Sequence, residues 1–350
     1  MVIVLWIVCA ALVLVLTGAV YQHLGSRRDC KRFTDSGRWV PVSSGSDLFL
    51  FELGSGEPKI VFESGIGATH LNWRHIQESL APYATTISYD RAGLGWSSPS
   101  RTRRTPANIA RELHELLQNA GLEPPFILVG HSFGGLVMRR FALLYPDEVA
   151  GVLLIDPMRC EEWPPLDPSK QSQLDLGQKL IRYVTPLTQC GLARLGVTLL
   201  FRRAGRLPGT LAQAAVPNGR HVLDRITTEV RKMPRAVWPV VAAHWSRPSF
   251  YAGIRSHLQS IPDTVREMHV AEPIHEIPIT ILTPGNAAPL DENQLEHTGD
   301  NVRQMIGAHS AHWIHLDEPA LVVESIRTLL DAAGAATALV PQWRSETKLG

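Results

Sequence analysis

Residues 130–135 read Gly-His-Ser-Phe-Gly-Gly, so Ser132 lies between two glycines with one residue on either side. A short apolar run, 126–129, comes before it. An amphipathic run, 133–144, follows and stops at Pro146. A strand feeding a helix through so tight a turn needs glycine at 130 and 134, where neighbours press on the backbone. The turn lifts the Ser132 hydroxyl off the sheet beside a helix N-terminus. A serine held this way can attack an acyl carbonyl and carry the acyl group covalently. The oxyanion that forms needs two donors. One is the backbone N–H of Phe133, directly after the serine. The other is the N–H of Ile66, in the glycine-flanked stretch Glu63-Ser64-Gly65-Ile66-Gly67 that ends an earlier apolar run. A general base is also required, histidine most often, and three candidates lie near the C-terminal end. His309, His312 and His315 stand there close together.

These residues need a scaffold, and the chain alternates in the way that builds one. Residues 47–51, 59–62, 85–89, 126–129 and 149–155 are short apolar runs, and 277–282 is another after a long gap. Helical spacing is found over 70–83, 106–120 and 133–144, and again over 319–333. Strands apolar throughout that alternate with helices predict a mostly parallel sheet covered on both faces. Between 160 and about 272 no strand is legible. Runs such as 171–184 and 192–201 are helical, which predicts an inserted helical lid.

A third motif, Asp90-Arg91-Ala92-Gly93-Leu94-Gly95-Trp96-Ser97, lies between the oxyanion stretch and the serine turn. A fourth, Ala311-His312-Trp313-Ile314-His315-Leu316-Asp317-Glu318-Pro319, lies near the end. In this order the four motifs resemble the α/β-hydrolase superfamily, over roughly residues 37–333 and weakly across the lid. The resemblance implies the α/β-hydrolase fold, a mostly parallel central sheet flanked by helices with an inserted lid. It puts the base at His312, with Ala311 where glycine is usual, and gives the Asp-Arg turn a structural role. It leaves two candidates for the acid. In most of the superfamily the acid follows the strand that here is 277–282, where Asp291 comes late. In a minority it ends the strand before, which here is Asp156. A carboxylate at the edge of a central strand lies where open α/β sheets do their chemistry, which favours Asp156. The triad expected is Ser132, Asp156 and His312.

Relatives that hydrolyse haloalkanes or epoxides use an aspartate at the elbow, so Ser132 favours cleavage of an ester or thioester of a small-molecule acyl substrate. Amide or carbon–carbon bond hydrolysis is the alternative chemistry, and a non-catalytic ligand-binding protein on the same fold is the alternative class. No cofactor is called for, and no His/Cys cluster has metal-ligand spacing.

Composition sets the surroundings. Of 350 residues, 45% are hydrophobic and 19% charged, which excludes a disordered chain. Lys plus Arg is 34 against 33 Asp plus Glu, a net of +1, so there is no basic footprint for nucleic acid. No charged side chain precedes Arg27. The apolar residues 2–20 would reach ~29 Å as a helix, about the thickness of a bilayer's hydrocarbon core. The stretch lacks the basic start and small-residue cleavage site of a signal peptide. A single-pass membrane anchor is expected over 1–24, with a basic linker over 25–37. Arg27, Arg28, Lys31 and Arg32 predict a cytoplasmic catalytic body. That body is expected as core 38–159, lid 160–272, core 273–333 and a loose tail 334–350, complete without the anchor. The four cysteines form no disulfide framework, though a Cys160–Cys190 bridge is conceivable.

Overall fold

The computed structural model describes residues 1–202 and 228–339. Eight strands form one sheet: β1 (Arg38–Val42), β2 (Ser46–Leu53), β3 (Lys59–Glu63), β4 (Thr86–Tyr89), β5 (Phe126–His131), β6 (Val149–Ile155), β7 (Ile279–Pro284) and β8 (Val302–Gly307). Their order is β1-β2-β4-β3-β5-β6-β7-β8. β1 and β2 are antiparallel, as are β2 and β4, and every other neighbouring pair is parallel. The central strands β3, β5 and β6 are buried almost throughout, as their unbroken apolar runs require.

Helices cover both faces. On one side α3 (Pro106–Asn119) and α4 (Phe133–Leu144) bury Leu113, Leu116, Val137 and Phe141 against Leu128, Val152 and Leu154. On the other side α2 (Arg74–Leu80) supplies Ile76 and Leu80, and a late helix supplies Val322 and Ile326, against Ile60, Val129 and Leu153. Helix α3 starts on Thr105 with Pro106 at its first position, and is followed by Gly121 at φ 72°.

The insertion between β6 and β7 is helical in its described part: α5 (Gln171–Gln189), α6 (Leu192–Arg202), α7 (Trp238–Trp245) and α8 (Pro248–His269). Residues 203–227 of the expected lid lie outside the described residues. After β7 come α9 (Glu292–Thr298), β8, the short α10 (Ile314–Asp317) and the closing α11 (Pro319–Leu339).

Several boundaries differ from the sequence expectations. Strands β1 and β8 were not legible, because β8 is a half-exposed edge strand that mixes Arg303 and Gln304 with its apolar residues. Helix α5 runs on through Pro186 to Gln189. Helix α11 continues past 333 to Leu339, so only 340–350 of the expected tail remain, and they lie outside the described residues. All four cysteines are free, including Cys160 and Cys190.

The largest correction concerns the N-terminus. The first helix, α1, spans Val2–Phe33, so most of the expected linker 25–37 is helical. Residues 2–16 project with their side chains exposed. The second half is docked onto the lid. Gln22 is buried, and its Nε2 donates 2.9 Å to the Ser246 carbonyl. Arg194 of α6 donates to Gln22 Oε1 at 3.1 Å and Ser26 Oγ at 3.1 Å, and pairs with Asp29 at 2.5 Å. At Gly18 the helix backbone lies on the Cys190 carbonyl, where an added Cβ would collide. The segment therefore belongs to the fold as well as projecting from it.

Candidate active site

Strand β5 ends at His131 and α4 begins at Phe133, leaving Ser132 alone in the turn with φ 56° and ψ −122°. Few non-glycine residues adopt such a backbone, and it persists only where the surroundings hold it. Here they do. The Ser132 N–H donates to the Ile155 carbonyl at 2.9 Å, and the Ser132 carbonyl accepts from Gly135 at 3.0 Å and Met158 at 3.1 Å. A Cβ on Gly134 would lie 2.7 Å from the Ser64 carbonyl oxygen and closer still to that of Glu63. Glycine at 134 is thus what lets the serine turn press backbone to backbone against the loop after β3.

Asp156 reaches the same edge by register. His131 pairs with Ile155 across β5 and β6, so the next residues, Ser132 and Asp156, stand side by side at the strand ends. Asp156 also has positive φ, 40°, and its N–H donates 2.8 Å to the Leu282 carbonyl. His312 comes from the loop after β8. Its Nδ1–H donates to Asp156 Oδ2 at 2.6 Å, which leaves Nε2 with a free lone pair. The Ser132 hydroxyl makes no hydrogen bond among the described residues. Such contacts often tighten only when substrate is bound.

The remaining candidates are elsewhere. Asp291 caps α9, its carboxylate accepting from the Gln294 N–H at 2.9 Å. It lines a different cavity, of about 490 Å³, with Arg139, Cys160 and His297. His309 is exposed. His315 is buried and stacked on Trp73, ring centres 4.6 Å apart, and burial pushes its pKa down to about 3.

Two supports hold this arrangement, the first without a role in the sequence reading and the second in the Asp-Arg turn expected to be structural. His131, the residue before the serine, donates its Nε2–H to the His312 carbonyl at 2.8 Å. Burial holds its ring neutral, with a pKa well below the usual histidine value, so the bond has a single donor and fixes the backbone of the His312 loop. The only sequence signal was its adjacency to Ser132. Arg91 is the second support. Buried in the Asp-Arg turn, it donates to the Gly65 carbonyl, lies 3.5 Å from Glu63 and sits over the Phe133 ring. Tyr89 donates its hydroxyl to Glu63 as well. Burial pushes the Glu63 carboxyl up despite Arg91 beside it. Arg91 thus ties the loop carrying Ile66 to the helix start at Phe133. Neither the Ile66 nor the Phe133 N–H has a backbone acceptor among the described residues. The neighbouring Asp90 is structural. Burial raises its pKa, but His70 at 2.9 Å and the Trp96 N–H outweigh that and hold it below the usual carboxylate range.

A cavity of about 690 Å³ reaches both Ile66 and His312. Its walls are mainly apolar and come largely from the lid, including Ile181, Val197, Met233, Val241, Phe250 and Ile254.

Sheet order, strand directions and the serine turn between β5 and α4 agree with a family profile described as alpha/beta hydrolase fold, which matches residues 58–203. The chain is an α/β-hydrolase-fold protein. The chain superimposes on an epoxide hydrolase, CorEH, with a TM-score of 0.63 at 17% identity, covering 84% of this chain and 98% of that one. An esterase from Thermogutta terrifontis gives 0.57 at 19% identity, covering 85% and 98%. At such identities the likeness speaks for the fold. In sequence, the chain is 35% identical over 104 residues to the uncharacterised protein YqjL of Bacillus subtilis, covering 30% of this chain and 41% of that one. The match thus spans less than half of that relative.

Proposed function

We propose that this hydrolase cleaves a carboxylic ester or thioester through an acyl-enzyme on Ser132. The 2.6 Å contact between His312 and Asp156, beside the serine turn, carries that reading. His312 Nε2 takes the Ser132 proton as the hydroxyl oxygen attacks the acyl carbonyl. Asp156 keeps His312 in the Nδ1–H form and steadies the imidazolium. The N–H groups of Ile66 and Phe133 receive the oxyanion. When the intermediate collapses, the bond to the alcohol or thiol breaks and His312 gives that group its proton. Water then attacks the acyl-enzyme with His312 again as base, and Ser132 regains its proton.

The cavity's apolar walls suit a lipophilic acyl group. Helix α1 is long and apolar enough to cross a membrane, and its first half is exposed; a signal sequence has the same properties. We read it as an anchor because its second half is bonded into the lid. The basic cluster at its C-terminal end favours a cytoplasmic catalytic body.

A fluorophosphonate probe tests the chemistry. It is expected to label the full-length protein in detergent but not Ser132→Ala, which should also lose p-nitrophenyl ester turnover. Undiminished turnover by Ser132→Ala would overturn the proposal.

A further inference from the structure

Two lid helices leave apolar side chains uncovered in a regular pattern. On α5 these are Leu176, Tyr183 and Leu187, and on α6 they are Leu192, Leu195 and Leu199, each between 39% and 72% exposed. Steps of seven and four, and of three and four, put each set on one face of its helix. Ile181 and Val197, roughly opposite on the two helices, line the 690 Å³ cavity. One face of each helix thus borders the substrate space, and the other is apolar with nothing from the described residues over it.

The anchor identifies what covers that face. The turn between α5 and α6, at Cys190 and Gly191, rests on α1 at Gly18. Gly18 is within one helical turn of the end of the apolar stretch 2–20, whose ~29 Å length matches a bilayer's hydrocarbon core. A membrane around α1 would therefore have its edge at the level of this turn. Lys179 and Arg182, both exposed on α5, border one edge of its apolar face, an edge that also carries the exposed Asp175; neither basic side chain forms an ion pair among the described residues. An apolar face bordered by basic residues is how a helix lies in a lipid–water interface.

We propose that α5 and α6 lie in the interfacial layer of the membrane that holds α1, so that the acyl cavity opens toward lipid and takes its substrate laterally from the bilayer. The proposal rests on reading α1 as a membrane segment and deepens the ester-hydrolase reading by naming the source of the acyl chain.

The test uses the full chain in phosphatidylcholine–phosphatidylglycerol vesicles containing doxyl-labelled lipid. Cys9, Cys30 and Cys190 are replaced by serine, and the buried Cys160 is left in place. An environment-sensitive fluorophore is then attached at Leu187→Cys or Leu195→Cys. Leu16→Cys in α1 and Glu123→Cys, near the opposite ends of the strands, serve as references. Positions 187 and 195 should be quenched by the doxyl lipid to about the extent of position 16, and position 123 should not be. If 187 and 195 behave like 123 while 16 is quenched, the lid does not touch lipid and the proposal fails. If 16 is not quenched either, the anchor reading fails and takes the proposal with it. None of these outcomes depends on the chemistry at Ser132. As a second arm, Leu187→Glu with Leu195→Glu should lower turnover of a long-chain ester held in vesicles about tenfold while leaving a soluble butyrate ester unchanged. Equal, undiminished turnover of both esters would overturn lateral access. If both esters lose turnover alike, the fold has been harmed and the quenching result decides.

Discussion

Replacing Asp156 with asparagine keeps the side chain's size and removes its charge. What it loses can be worked from the geometry. During acyl transfer His312 becomes an imidazolium whose Nδ1 lies 2.6 Å from Asp156 Oδ2. Both charges are spread over two atoms, so their centres are about 4 Å apart, and at an effective dielectric of about 20 the attraction is about 4 kcal/mol. The side chains are 36% and 19% exposed, and water screening lowers that to roughly 2–4 kcal/mol. At about 1.4 kcal/mol per tenfold, turnover should fall roughly 30- to 1,000-fold. The assay is kcat for a p-nitrophenyl ester with the full-length protein in detergent, alongside a melting curve to check the fold. Asp291→Asn is the matched control. Asparagine caps a helix about as well as aspartate, so α9 and the activity should both be unchanged. A folded Asp156→Asn that keeps its turnover, or an Asp291→Asn that loses it, would refute the assignment of the acid.

Other outcomes follow from packing and protonation. Gly134→Ala drives a methyl group into the carbonyls of Glu63 and Ser64. Overpacking should cost about 1–3 kcal/mol, read as a lowered Tm, and moving the Phe133 N–H should slow fluorophosphonate labelling more than tenfold. A variant with wild-type Tm and labelling would show that the close approach is dispensable. His315 has a pKa near 3 when folded, against about 6.5 unfolded, so the unfolded chain binds the extra proton between those values. Its contribution to stability is whole above about pH 6.5 and is lost as the pH falls toward 3. His315→Phe keeps an aromatic ring beside Trp73 and should make Tm fall less steeply than wild type between about pH 6.5 and pH 4. Parallel curves would count against a buried neutral imidazole there.

The centre of the fold was legible because its strands are buried on both faces around unbroken apolar runs, such as 60–62 in β3 and 126–129 in β5. The edges were not. In β8, Arg303 and Gln304 read as loop, and β1 is only five residues long with Pro41 inside it. Ser132 was legible from two glycines in a strand–turn–helix context, and His312 from its distance to the closing helix. The acid was open, because residue types near the ends of β6 and β7 permit either carboxylate. The proposal of Asp156 rests on the register that sets it beside Ser132, while the Asp291 carboxylate is engaged in a helix cap. The His131 bond to the His312 carbonyl joins residues 181 apart, and no local pattern records it. The second half of α1 was misjudged for a related reason. Gln22 and Ser26 look like the polar end of an anchor until their partners Ser246 and Arg194 come into view.

That docked half-helix divides one element into two regimes of sequence drift. Residues 2–17 can exchange one apolar side chain for another without consulting the rest of the protein. Beyond them each position has a correspondent. The buried Arg194 guanidinium depends on acceptors at 22, 26 and 29, so a change on either side calls for a matching change on the other. A Cβ on Gly191 would lie 2.7 Å from the Gly18 carbonyl, so bulk cannot enter at 18 or 191 alone. Across descendants of this chain, the first part of α1 should vary like a lipid-facing segment and the second part in step with the lid.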